Sequence, residues 1–347
     1  MEKLMKPHFT LSKSKLASQL KILTDLNLTI SYSYKTNRQI GNIIQETSPT
    51  TFFSIHAREE IQMIKDKSKI SFFTQAESVE ELKEIIQTGI KTFVIDNKID
   101  LTNLLQATKE SNQKINISIR MKFQEHRIGT GKYFVYGLPS KKVNQLIQEL
   151  SKNNNIQDLG IHIHRKSQNT SEWEIVEELK DSIDPKTLKI ISSINLGGGL
   201  PVEYKSYTAS TLPYILKKIS KAREFLDSHN IQTIIEPGRF LAAPPVKLHT
   251  KIIQIQSNIL ILNTTIYNCA LDTILTETKM LIQQEIPTTK THFLLKGNSP
   301  TRDDIFRYKV KLSNPKIDDE ITFINAGSYN YTTDFFGYKK LETKIIE

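Results

Sequence analysis

Short β-branched and aromatic runs recur along the chain, each followed by a stretch whose apolar residues fall three or four positions apart. The extended runs are LTISYSY (28–34), TFFSIH (51–56), KISFFT (69–74), KTFVID (91–96), NISIRM (116–121), LGIHIH (159–164), KIISSINL (189–196) and QTIIEP (232–237). Their nearly continuous apolar character predicts strands buried on both faces. Helical periodicity predicts helices over 38–46, 57–67, 77–88, 101–110, 140–152, 171–182 and 211–228. Several open on Ser, Thr or Asp, whose side-chain oxygens accept the free N–H groups of a first turn. Strand and helix alternate over roughly 210 residues, which predicts a parallel sheet with right-handed crossovers; eight repeats close it into a (β/α)8 barrel of the TIM type.

The rhythm stops near residue 240. KLHTKIIQI, NILILNTTIY, THFLLKG, RYKVKL and EITFINAG follow without long amphipathic helices, and they predict a separate antiparallel β domain. The expected division is an N-terminal segment, 1–27, packing on the β domain, the barrel over 28–239, and the β domain over 240–347.

Composition narrows the partners. Lys and Arg number 47 against 37 Asp and Glu, a formal charge of +10. The basic residues are scattered, with no basic block or aromatic platform, so no nucleic-acid partner is expected, only a bias toward anionic ligands. The single cysteine, Cys269, excludes an internal disulfide framework and a multi-cysteine metal site. The opening MEKLMKPHFTLSKSK lacks an apolar leader, and no stretch approaches the roughly 20 apolar residues of a membrane span, which predicts a cytoplasmic protein.

In such a barrel the chemistry sits at the carboxyl ends of the strands. Here those ends carry Lys35, Arg120, His164, the run Gly197, Gly198 and Gly199, and then Glu236, Pro237, Gly238 and Arg239. The glycine run taken alone reads as a tight turn; beside EPGR it becomes half of a phosphate-binding pair of loops, with Gly238 offering an N–H and Arg239 a fixed charge. Glu236 is either an ion-pair partner or a carboxylate that keeps a ligand's ring nitrogen protonated. His164 either satisfies a backbone carbonyl or lies flat on an aromatic cofactor. An amine, a ring to stack on, a pyridine-like nitrogen and a phosphate together describe pyridoxal 5'-phosphate, with Lys35 as its Schiff-base lysine.

At these residues the chain resembles the fold-type III pyridoxal phosphate enzymes, whose barrel is alanine racemase-like, and within them the ornithine and diaminopimelate decarboxylase group. YSYKTN is similar to the Y-x-x-K-[AT]-N lysine motif, ISIRM to the strand carrying a supporting arginine, and GIHIHRKSQ to the H-x-G-S segment. NLGGGLP and EPGRF resemble the glycine loop and the E-P-G-R motif, and NAGSYNYTTDFFGY the C-terminal N-x-G-A-Y segment. The resemblance implies a decarboxylase in which Lys35, His164 and Glu236 are catalytic. Arg120, Ser167, Gly198, Gly199, Gly238, Arg239 and Tyr329 would complete the cofactor contacts. It also implies a homodimer with shared active sites, the segment 297–304 completing the partner's.

The departures bear on the substrate. Pro300, in GNSPTRDDIF, stands where the family has a cysteine thought to protonate the product; Asp304 matches the segment's aspartate, and Thr301 and Arg302 have no counterpart. Cys269 is expected in the core, Ser54 replaces a strand-two aspartate while Glu60 keeps the family's acid, and Val135 replaces a lysine. Asn263 stands where ornithine decarboxylases read a distal ammonium with an aspartate. With Asn263, Thr301, Arg302 and Asp304 as the substrate side, an amide in place of the acid and an added arginine favour a distal carboxylate. The expected substrate is an ornithine conjugate such as N-citryl-ornithine, an intermediate of carboxylate siderophores. The alternatives are free ornithine, lysine or diaminopimelate, an amino-acid racemase, or a non-catalytic regulator. Arg302 in a surface salt bridge with Asp303 or Asp304 is the plain structural alternative.

Overall fold

The computed structural model describes residues 6–122, 136–330 and 332–347. Its strands in chain order are β1 (His8–Ser12), β2 (Thr29–Ser33), β3 (Phe52–Ile55), β4 (Ile70–Phe73), β5 (Thr92–Ile95), β6 (Ile115–Arg120), β7 (Ile156–His162) and β8 (Ser193–Asn195). Then come β9 (Gln232–Ile235), β10 (Val246–Gln256), β11 (Ile259–Leu262), β12 (Leu281–Ile282), β13 (His292–Lys296), β14 (Ile305–Lys311), β15 (Glu320–Ile324) and β16 (Glu342–Ile346).

Strands β2 to β9 pair in sequence order, all parallel, and β2 closes on β9. The expected eight-stranded barrel is therefore present, as are helices within a few residues of six of the seven expected spans. Isoleucines and phenylalanines such as Ile30, Phe53, Phe93, Ile161 and Ile235 are buried, which is what a sheet covered on both faces requires. Helix starts are chemically marked: Ser78 and Glu81 form a reciprocal capping box, and Asn37 Oδ1 accepts the N–H groups of Gln39 and Ile40.

The exception among the helices is 57–67, where only Arg58–Ile61 is helical. Lys67 Nζ donates to the carbonyls of Ile61 and Ile64, ending the turn that the apolar spacing would have continued. The run 189–196 is also mostly not strand. Thr187 O accepts the N–H groups of Ile190 and Ile191, prolonging a turn after Pro185–Leu188 and leaving only β8 extended.

The chain divides into two compact units. One, 22–200 with 211–238, is the barrel; the other gathers 1–21, 201–210 and 239–347 around a β-sheet. In the latter, β1 pairs antiparallel with β10 and parallel with β16, and β10 pairs with β11 and β15. The sheet is mostly antiparallel, with a second parallel pair between β11 and β13. TTIY, read as strand, instead opens the helical turn Ile266–Cys269, capped by the Thr265 hydroxyl. Residues 201–210 cluster with the sheet although they fall inside the barrel's stretch of sequence. Among the described residues no helix is long and apolar enough to cross a membrane.

Candidate active site

YSYKTN is a built turn. Tyr32 and Tyr34 are fully buried; Tyr32 Oη donates to Asn37 O at 2.9 Å and Tyr34 Oη to Asn42 Oδ1 at 2.9 Å. A Cβ on Gly41 would come within 2.4 Å of the Tyr34 ring, so glycine is needed beneath it. Between these anchors the turn Tyr34–Thr36 presents Lys35, the one exposed residue of the turn. Desolvation by the surrounding protein lowers its pKa, as does Arg120, against the raising effect of Glu236 and Glu60.

Glu236, just past β9, is buried and anchored on both oxygens. Oε1 accepts from Ser54 Oγ at 2.6 Å and Asn195 Nδ2 at 2.9 Å; Oε2 lies 2.9 Å from His162 Nε2. Burial alone would raise the pKa of this carboxyl. The charge and hydrogen bond of His162, the Ser54 bond and nearby His56 outweigh it and bring the pKa down to about 2.

The residues around it come from neighbouring strands. In the sheet register Arg120 pairs with His162, and His162 with Asn195. Arg120 lies 5.1 Å from the Tyr136 ring centroid. His56, after β3, stacks on Phe73 at 4.4 Å, and desolvation first, then Lys35, lowers its pKa to about 3. Glu60 is buried, 3.7 Å from Arg38 Nε, with its pKa raised chiefly by desolvation.

His164 follows β7. Desolvation, then Arg120 and His162, lowers its pKa to about 4, and its Nδ1 accepts the Gly198 N–H at 3.3 Å. The neutral ring therefore carries its proton on Nε2. The glycine run has a steric cause: a Cβ on Gly197 would meet Ile163 O at 2.3 Å, and one on Gly199 would meet Lys166 O at 2.3 Å. Backbone from the loops after β7 and β8 touches here, which only glycine permits. The Gly198 N–H, expected on a phosphate, is spent on His164. Those of Gly199 and Gly238 have no acceptor among the described residues. Ser167 lies exposed in a turn.

In the β unit Arg239 is held by an acid and a tyrosine. Its Nη1 and Nη2 donate to Asp272 at 2.5 and 3.0 Å and Nη1 to Tyr204 Oη at 3.1 Å, with the rings of Tyr204 and Tyr329 at 5.4 and 5.3 Å. This cation, expected on a phosphate, is neutralised within its own unit by a bidentate pair. Tyr329 stands in a left-handed backbone conformation, φ 56°.

Among the substrate-side residues, Asp304 is fully buried, and its oxygens accept the N–H groups of Ile266 at 2.9 Å and Ser299 at 3.0 Å. It is a structural knot of the β unit. Asn263 Oδ1 accepts the Lys251 N–H at 3.0 Å, and Thr301 Oγ1 donates to Tyr267 Oη at 3.0 Å. Arg302 is exposed and makes no salt bridge with Asp303 or Asp304 among the described residues. Cys269 is buried with its thiol pKa raised to about 12 by desolvation. Val135 lies outside the described residues.

His56, His162 and Asn195 were not singled out from sequence. Ser54 with His56, and His162 with His164, stand two apart, the spacing that puts side chains on one face of an extended chain. That alternation was the available signal.

Residues 12–243 match the family described as "Pyridoxal-dependent decarboxylase, pyridoxal binding domain". A probable chloroplastic diaminopimelate decarboxylase of Oryza sativa subsp. japonica is 27% identical over 207 residues, 56% of this chain and 41% of its own length, so the match spans under half of that relative. The structure of diaminopimelate decarboxylase from Helicobacter pylori complexed with L-lysine superposes with a TM-score of 0.84 at 19% identity, covering 100% of this chain and 93% of that one. Lysine decarboxylase from Selenomonas ruminantium gives 0.82 at 18%, covering 98% and 92%. At these identities the structural likeness is one of fold. The family match itself covers well over half of the chain: the protein belongs to the pyridoxal-dependent decarboxylase family.

Proposed function

We propose that the protein is a pyridoxal 5'-phosphate-dependent decarboxylase that removes the α-carboxylate of an amino acid. The observation that carries this reading is Glu236, a buried anion with three of about four acceptor positions filled. The residues present fit the cofactor. Glu236 keeps one acceptor position for a ring N–H, His164 offers an uncharged ring, and Gly199 and Gly238 offer N–H groups. When bound, the cofactor supplies an aldehyde that condenses with amines and a conjugated ring that takes up the electron pair left by departing carbon dioxide.

Lys35 Nζ, its pKa lowered chiefly by desolvation, acts as the nucleophilic amine. Glu236 holds a proton on the ring nitrogen, which keeps the ring electron-poor. Arg120 contributes fixed positive charge, and neutral His164 supplies a flat surface without competing for the proton.

We read the substrate as an amino acid with a carboxylate at its far end, because Arg302 is exposed and Asp304 is already committed to backbone. N-citryl-ornithine, used in siderophore assembly, is the specific form; diaminopimelate is the rival that the rice relative's name suggests. The working form is a cytoplasmic homodimer in which segment 297–304 serves the barrel of a second copy.

Carbon dioxide release should be measured with ornithine, lysine, diaminopimelate and N-citryl-ornithine. Release from the carboxylate-bearing pair, with KM raised in Arg302→Ala, supports the reading; equal release from ornithine removes the carboxylate preference. Exchange of the α-proton without carbon dioxide replaces decarboxylation with racemisation.

A further inference from the structure

His162 is 1% exposed at the end of β7, and its Nδ1 is buried without a hydrogen-bond partner among the described residues. Phe73 packs edge-on against it at 5.1 Å and 87°. With an anion 2.9 Å from Nε2 and nothing among the described residues for Nδ1 to donate to, the ring carries a proton on Nε2, toward Glu236. On the other oxygen, Ser54 donates at 2.6 Å and itself receives the Ser31 hydroxyl at 2.8 Å. An aspartate at position 54, as the family resemblance would have it, would set a second carboxylate against Glu236 and force one of the two to keep a proton. Serine donates instead.

The charged and titratable groups facing Glu236 from the surrounding elements are Lys35 after β2, His56 after β3, Arg120 on β6, and His162 and His164 on and after β7. Neither Lys35 nor Arg120 hydrogen-bonds it among the described residues. Of the five, only His162 fixes the carboxylate by direct contact.

We propose that His162 is a positioning residue which, with Ser54 and Asn195, locks Glu236 as an anion with one acceptor position left over, and so sets the proton on the cofactor's ring nitrogen. This rests on the decarboxylase reading above. His162 never touches substrate. It acts through Glu236 alone, so its loss alters how the cofactor is held and protonated before any turnover.

The test is titration of the apoprotein with pyridoxal 5'-phosphate, followed by the visible absorbance of the bound cofactor against pH, in wild type, His162→Phe, His162→Gln and Lys35→Ala. In wild type the band depends on Lys35 and is flat with pH. In His162→Phe the cofactor binds about tenfold more weakly or worse, and the band changes with pH. His162→Gln, whose amide N–H reaches the position of Nε2, restores both. If His162→Phe does not fold, His162→Asn, with an amide too short for Glu236, must show the same two changes. Wild-type affinity and a flat band in the Phe or Asn variant overturn the role of His162 and leave the decarboxylase reading standing. A wild type with no Lys35-dependent band overturns both.

Discussion

Glu236 in the barrel and Asp304 in the β unit are both buried carboxylates, satisfied in opposite ways. Asp304 accepts two backbone N–H groups and ties Ile266 to Ser299. Glu236 is held by three side chains, Ser54, Asn195 and His162, and faces the cations Lys35 and Arg120. Asp272 is a third kind, closed by the bidentate Arg239. A carboxylate consumed by backbone or by an arginine fork organises the chain. One assembled from movable donors, with an acceptor position remaining, is available for chemistry.

Removing the charge at each site separates these roles. Glu236→Gln should cut carbon dioxide release by about 10²- to 10⁴-fold with a smaller loss of stability than Asp272→Ala, since an amide oxygen still accepts from Ser54 and Asn195. A comparable loss of stability would erase the distinction. Asp272→Ala should cost about 3–5 kcal/mol in chemical denaturation, because Arg239 is then buried without its counter-ion. Asp304→Ala strands two backbone donors, each at about 1–3 kcal/mol, and should leave cofactor absorbance in the surviving folded protein as in wild type.

The smallest effect over any one pH step comes from acidification. His56 and His164 have folded pKa values of about 3 and about 4 against 6.5 unfolded, so the unfolded chain binds more protons between those limits. Their contribution is complete above pH 6.5 and is lost as pH falls toward 3, by at most about 1.4 kcal/mol per pH unit for each histidine. Glu236 adds a loss of the same sign below its unfolded value of 4.5, down through about 2. His56→Phe should flatten the upper part of that curve, and an unchanged slope in urea titrations between pH 6.5 and 4 would show that His56 is protonated in the native barrel.

The barrel was legible because parallel strands buried on both faces write long apolar runs, and LTISYSY or KTFVID admits few other readings. Lys35 and Glu236 were legible for the same reason: a charged residue ending such a run is conspicuous. The stretch 57–67 misled because its helical spacing says nothing of Lys67 turning back onto the carbonyls of Ile61 and Ile64. The partners of Arg239 and Asp304 were not legible, because sequence shows a charge without its partner; Asp272 lies 33 positions from the first, and Ile266 lies 38 from the second. His56 and His162 hid inside strand-like runs as ordinary alternating residues, and their meaning appears only when neighbouring strands bring Glu236 beside them.

The pairing of β1 has a consequence for the order in which the chain is made. Among the described residues His8–Ser12 finds its antiparallel partner in Val246–Gln256 and its parallel partner in Glu342–Ile346. During synthesis every barrel strand emerges, and can pair, before either partner of β1 exists. β1 is therefore among the last of these elements to be enclosed, an open edge that a nascent chain must keep from pairing wrongly until β10 and β16 have been made.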